Sequence, residues 1–92
     1  MAMIAKALPA TGASTLHTGA ISVGGFNYTN GSGGAGVITI YDNTAASGTV
    51  IYQESVAAGV AVTRVLNPPV TAKTGVTVNL SAASSTGAVW MD

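Results

Sequence analysis

Apolar and polar residues alternate with a period of two through much of this sequence, and that alternation constrains its fold more than any other feature. In Val76-Thr-Val-Asn-Leu-Ser-Ala82, the residues Val76, Val78 and Leu80 share one face while Thr77, Asn79 and Ser81 share the other. This is the pattern of a half-buried strand. Val60-Ala-Val-Thr-Arg-Val-Leu66 places Val60, Val62 and Leu66 together with Arg64, so the arginine sits near the strand end or reaches past the sheet edge to a partner. Val37-Ile-Thr-Ile-Tyr-Asp-Asn43 and Thr49-Val-Ile-Tyr-Gln-Glu-Ser-Val56 flank a short loop in which Asn43 and Gly48 supply turn chemistry, which predicts an antiparallel hairpin. Ala20-Ile-Ser-Val-Gly24 with Phe26-Asn-Tyr-Thr29 supplies one or two early strands, and Ala88-Val-Trp-Met-Asp92 lies in a last one. Asn67-Pro-Pro-Val70 removes ladder donors, which predicts a turn or a crossing between sheets at that point.

Helical periodicity is scarce, and no connection is long enough to hold repeated crossover helices, so a parallel sheet is excluded. Six to eight short strands without a covering helix predict an all-β fold, a small antiparallel β-sandwich of jelly-roll or Ig-like type. Residues 1–19 are small and polar and lack a clear pattern; they read as an extended N-terminal arm or loop that orders against another subunit. Residues 20–92 then form the sandwich domain. At 92 residues the chain is one domain, close to the smallest size at which a core suffices without metals or disulfides.

Three basic and three acidic side chains are spread over the whole chain, with zero formal net charge. A soluble monomer keeps about a quarter of its residues charged, so a chain this neutral is built to be covered by neighbours. Three cations cannot neutralise enough phosphates for nucleic-acid binding or form a polybasic patch for anionic lipid. No run of 18 or so apolar residues exists to span a membrane. There is no cysteine, which excludes a disulfide framework, a thiolate metal site and a cysteine nucleophile. The N-terminal residues lack the order of a signal peptide, with Lys6 following the first apolar residues and no long apolar stretch after it. Synthesis and retention in a cytoplasm, followed by release as part of a particle, is the expectation.

The sequence offers several nominal sites, each with a plainer reading. Gly31-Ser-Gly-Gly-Ala-Gly36 matches the glycine spacing of a dinucleotide fingerprint, but Val37-Ile-Thr-Ile-Tyr41 follows it, a strand where the fingerprint needs a helix N-terminus. A loop is the simpler assignment. His17 is the single histidine, with no second histidine or cysteine to complete a transition-metal site, and it reads as a surface or interface residue. The serines lack the base and acid of a triad, so no catalytic residue and no cofactor is expected. Asp42 and Glu54 lie on the two arms of the hairpin, and opposition to Arg64 or Lys73 is a plainer role than a catalytic carboxylate pair. Asn27-Tyr-Thr29, Asn30-Gly-Ser32 and Asn79-Leu-Ser81 match glycosylation sequons but report only a composition rich in Asn, Ser and Thr. Phe26, Tyr28, Tyr41, Tyr52 and Trp90 would make a sugar-stacking platform, yet so few aromatics are more simply core and interface packing. Thr39, Thr49, Thr63 and Thr77 lack the fixed spacing of an ice-binding array.

The strand and turn words Val37-Ile-Thr-Ile-Tyr-Asp-Asn-Thr-Ala-Ala-Ser-Gly-Thr-Val-Ile-Tyr52, Val56-Ala-Ala-Gly59, Pro68-Pro-Val70 and Thr74-Gly-Val-Thr-Val-Asn-Leu-Ser81 resemble small structural proteins of tailed bacteriophages, the head-decoration or cement proteins. The resemblance spans about residues 37–82 and transfers no functional residue. It implies a non-enzymatic virion protein that binds the outer head lattice through the major capsid protein, as a homo-oligomer with a trimer favoured, on the capsid surface after synthesis in the host cytoplasm. Alternatives are a tail, neck or fibre subunit, and a carbohydrate-binding attachment module that holds host glycans through Trp90 and the tyrosines. Interface candidates are Leu8, Pro9, Leu16, His17, Gly33, Gly34, Arg64 and Trp90.

Overall fold

Strands form wherever the period-two pattern can bury one face. The computed structural model describes residues 3–92, which form β1 (Ile4–Ala7), β2 (Gly12–Thr18), β3 (Ile21–Asn30), β4 (Gly36–Asp42), β5 (Thr49–Val56), β6 (Ala61–Ala72), β7 (Gly75–Leu80) and β8 (Ser85–Met91). Among the described residues there is no helix. The strands make two four-stranded sheets with orders β1-β8-β3-β6 and β2-β7-β4-β5, all pairs antiparallel. Only the β4–β5 connection stays within one sheet, whereas every other link crosses between them. Of the two types expected, this eight-stranded double sheet is the jelly roll.

The core lies between the sheets. Val23, Phe26, Tyr28, Val89 and Met91 from the first sheet meet Ile38, Ile40, Val76, Val78 and Leu80 from the second, all almost fully buried. Residues opposite each other in an antiparallel pair project to the same face, so the registers Phe26↔Val89 and Ile40↔Val78 carry these rows across both sheets. Phe26 also packs edge-tilted on Tyr52, ring centroids 5.4 Å apart, tying the sheets together beyond the area they bury.

Two segments differ from the sequence expectation. Within residues 1–19, Met1 and Ala2 lie outside the described residues, while β1 and β2 each supply an edge strand, one to each sheet. The pattern is silent there because β1 buries none of its four side chains and β2 buries its own only in part. Leu8, between them, is the residue that enters the core. The second difference is Asn67-Pro-Pro-Val70, where the chain neither turns nor crosses. Strand β6 continues to Ala72, with Val65 opposite Gly25 and Val70 opposite Val23. Residues 66–69 therefore bulge out of the ladder opposite Gly24, and β6 is a sheet edge, so the prolines cost no ladder hydrogen bond.

Candidate functional site

The geometry of the sheets decides which side chains any partner can meet. Along the outer face of the first sheet one row runs Ala5, Trp90, Gly25, Val65 and the next runs Ala7, Ala88, Asn27, Thr63. Trp90 lies across the bulge of β3: a Cβ on Gly25 would stand 2.6 Å from its Cζ2, and one on Gly24 would stand 2.9 Å from its Cδ1. The absence of side chains at both glycines is what lets the indole lie against the strand. Met3 packs beside it over Gly24, and Val65 stands out at 71% exposure. This face is small-residued, with an apolar cluster of Met3, Trp90 and Val65 at one end and Asn27, Thr29, Thr63 and Thr86 toward the other.

The outer face of the second sheet is polar yet neutral. Its rows are Thr15, Thr77, Tyr41, Val50 and Ala13, Asn79, Thr39, Gln53. These groups satisfy one another: Thr15 and Thr77 hydroxyls share a hydrogen bond of 3.0 Å, the Thr77 hydroxyl donates to the Asn43 carbonyl at 2.8 Å, and Gln53 Nε2 donates to Thr39 Oγ1 at 2.9 Å. Thr39 and Thr77 are consequently buried although they point away from the core.

Charge is confined to edges and ends. Arg64 on β6 lies opposite core residue Phe26, and Glu54 on β5 lies opposite core residue Ile38, so both leave the inward side of their strands where the two sheets come together at one edge. Arg64 Nε donates to Glu54 Oε1 at 2.8 Å, Nη2 donates to Oε2, and the Tyr52 hydroxyl donates to Oε1 at 3.0 Å. The guanidinium, and then the Tyr52 hydroxyl, hold the Glu54 carboxyl below its ordinary range, and Glu54 raises Arg64 in return. The clamp closes the β5–β6 edge, and inward-pointing charge also discourages edge-to-edge pairing there. Asp42, at the end of β4, accepts the backbone N–H groups of Lys73 and Thr74 at 3.0 and 2.8 Å, which lower its pKa and fix the β6–β7 turn. The opposition expected for these carboxylates thus holds for Glu54 with Arg64, whereas Asp42 takes the backbone of Lys73.

The sequence-derived interface candidates do not converge. Leu8 and Pro9 sit in the β1–β2 link at one end of the sandwich, where Ser85 N–H donates to the Ala10 carbonyl at 2.9 Å. Gly33 and Gly34 lie in the β3–β4 turn, both with open space around them. Leu16 is the extra residue of a bulge in β2 and packs on the core, with His17 half-buried beside it opposite Val76. Arg64 is on the far edge and Trp90 on the outer face. Sequence reasoning missed Met3, Ile4 and Val65 as exposed apolar residues; the parity of Trp90 against buried Val89 and Met91 was the signal that would have identified the outer row.

The β3–β4 turn, read as a loop, is organised by Asn30. Fully buried, its Nδ2 donates to the carbonyls of Gly34 at 2.9 Å and Val56 at 3.0 Å, and its Oδ1 accepts the Ser32 N–H at 3.0 Å and hydroxyl at 2.7 Å. Nearby, the buried Tyr28 hydroxyl has no hydrogen-bond partner among the described residues. Among the described residues no pocket opens and no group of three His, Cys, Asp or Glu comes together.

No protein-family model matches the chain, and no curated protein matches it in sequence. Among solved structures it is similar to one from Bacillus endospore appendages, described as a novel family of disulfide-linked pili. That likeness has a TM-score of 0.58 and 20% identity, and covers 98% of this chain and 80% of the other. It establishes the shared fold.

Proposed function

We propose that this chain is a non-catalytic structural subunit of an ordered exterior assembly, set on the outer surface of a viral head and bound to the major capsid protein. The observation that carries this reading is the placement of charge. Apart from Asp92, which follows β8 at the end of one face beside Ser22, both broad faces are free of charged side chains, one bearing an apolar cluster among small and neutral polar residues and one a self-satisfied neutral network, while Lys6, Asp42, Glu54, Arg64 and Lys73 stand at edges and turns. Interface cores are depleted of charge and enriched in aromatic residues and Met, as is the face bearing Trp90 and Met3. The appendage likeness supports assembly as the use of this fold, and the resemblance of residues 37–82 to head-decoration proteins supports the virion setting.

The appendage likeness also favours a second reading, a tail or fibre subunit that polymerises by itself. Electron microscopy separates the two. The purified chain mixed with undecorated heads gives added density at regular lattice positions, trimeric on the favoured reading, if it decorates; the chain alone gives fibres under the second reading. A chain that stays monomeric and binds no particle overturns both. The glycan-binding alternative has less support, because the indole of Trp90 lies against Gly24 and Gly25 beside Met3 instead of standing free.

A further inference from the structure

We propose that β1 is an exchangeable strand, which pairs with β8 of a second copy and links copies head to tail. This rests on the assembly reading above and names the partner and the contact. All four side chains of β1 are exposed, and among the described strands its backbone pairs with β8 alone, from Ile4↔Met91 to Ala7↔Ala88. Leu8 follows as the one buried residue of the segment. Within its own chain, then, β1 holds on by a short ladder and one apolar plug, and both are re-formed unchanged when an identical segment from another copy takes the place.

The hinge is present. The chain bends through Ala10 and Thr11 and enters β2 at Gly12, whose φ of +76° belongs to the region that glycine occupies at no steric cost. Extending Gly12 together with the bend at Ala10 and Thr11 makes residues 4–18 one continuous run. At about 3.3 Å per residue, residues 4–11 then project roughly 26 Å beyond β2. The molecule measures 35 × 24 × 17 Å, so the segment clears its own sandwich and reaches the edge of a neighbour.

Sequence specifies the occupant. The β8 edge presents Trp90 and Ala88 on its outer side, and a strand laid beside it needs small residues opposite them. Ala5 and Ala7 are those residues, with Leu8 in position to plug the core. Donor and acceptor are different surfaces of the chain, so the contact is heterologous and generates rings or open chains. The pili that share the fold are disulfide-linked. With no cysteine, this chain requires a non-covalent link, and strand exchange provides one through main-chain hydrogen bonds.

The absence of cysteine also makes the test clean. The Leu8 N–H donates to the Gly87 carbonyl, so by alternation Ala7 and Ala88 form a non-hydrogen-bonded pair, the closer kind, suited to a disulfide. Full-length Ala7→Cys and Ala88→Cys single variants are refolded together, oxidised and resolved on a non-reducing gel, with mass spectrometry of the linked peptides. Exchange gives the mixed disulfide, position 7 of one chain to position 88 of another, in several-fold excess over like-with-like links, and the double variant A7C/A88C gives a ladder of multimers. A Gly12→Val change, strained in the bent form, raises the interchain fraction further. Closure of the double variant within single chains, with no mixed disulfide between the single variants, overturns strand exchange. If wild-type protein under those conditions still sediments as multimers or binds heads, assembly stands and only β1 is wrongly assigned; if it sediments only as a monomer and binds none, the assembly reading fails with it.

Discussion

Replacing Asn30 tests whether one buried amide organises the end of the sandwich that carries the β3–β4 turn. In Asn30→Ala, the carbonyl of Val56 loses its 3.0 Å donor at a residue that is 2% exposed, and a buried acceptor left unpaired costs about 1–3 kcal/mol. Gly34 O, Ser32 N and Ser32 Oγ also lose partners, but they lie where water replaces the bonds, so each adds only a few tenths. The expected loss is about 2–4 kcal/mol, out of roughly 5–15 kcal/mol for a domain of this size. Urea titration followed by far-ultraviolet circular dichroism measures it as a lower midpoint at unchanged slope. Asn30→Asp sharpens the test. An oxygen then replaces the Nδ2 donor facing the carbonyls of Gly34, Val56 and Ala57, which accept a hydrogen bond only from the protonated acid. That carboxyl is favoured neutral in the folded state, its folded pKa raised, so stability falls as pH rises above the unfolded value of about 3.9. At pH 7 the Asp variant is therefore less stable than the Ala variant, and the gap narrows toward pH 4. An Asp variant as stable as wild type at pH 7, or an Ala cost below about 1 kcal/mol, refutes the reasoning.

Four further outcomes follow from the same structure. Tyr28→Phe removes a buried hydroxyl without a partner and raises stability by about 1 kcal/mol; a loss in the urea midpoint contradicts the burial of that oxygen. Gly25→Ala drives a Cβ into the Arg64 carbonyl and the Trp90 ring, at a cost of about 2 kcal/mol or more, read from the fluorescence of the single tryptophan; an unchanged midpoint and emission would rule out the stacked indole. Val65→Asp puts charge in the apolar cluster of the first sheet's outer face at a 71% exposed site. It leaves monomer stability within about 0.5 kcal/mol while abolishing co-sedimentation with undecorated heads, so head binding that survives it does not bury this face. Asp42 and Glu54 both have lowered pKa values, so their stabilisation is full above the unfolded values of about 3.9 and 4.3 and is lost as pH falls through the lower folded ones. The double variant D42N/E54Q should therefore show a flatter stability profile below about pH 4, and an unchanged acid limb counts against both contacts.

How far the sequence disclosed this fold depends on where each strand sits. β4, β5 and β7 were legible because β7 and β4 are central, with a clean division into Val76, Val78 and Leu80 inside, and because the β4–β5 turn is local. β1 was not legible, since a strand that buries nothing leaves no periodic trace. The prolines of β6 misled because breaker residues forbid a ladder only where a ladder exists, and residues 66–69 stand outside it. Ion pairing of Glu54 was readable from charge sign, but its closing of the gap between sheets required knowing that β5 and β6 lie at the same edge. Thr39 and Thr77 show the opposite limit: alternation assigns them to solvent, yet hydrogen bonds from neighbouring strands bury them.

One local hairpin among links that otherwise cross between sheets has a kinetic meaning. Nearly every strand of the jelly roll must find a partner far along the chain, and β1 waits for β8, the eighth of the described strands. High contact order of this kind places folding in the range of milliseconds to seconds, because loop closure is completed before long-range pairing compensates it. Throughout that interval unpaired strands of nearly uncharged sequence face other chains, with little repulsion to keep them apart. Refolding yield is therefore expected to fall steeply as protein concentration rises, and the same lag leaves β8 open to a β1 that comes from a different molecule.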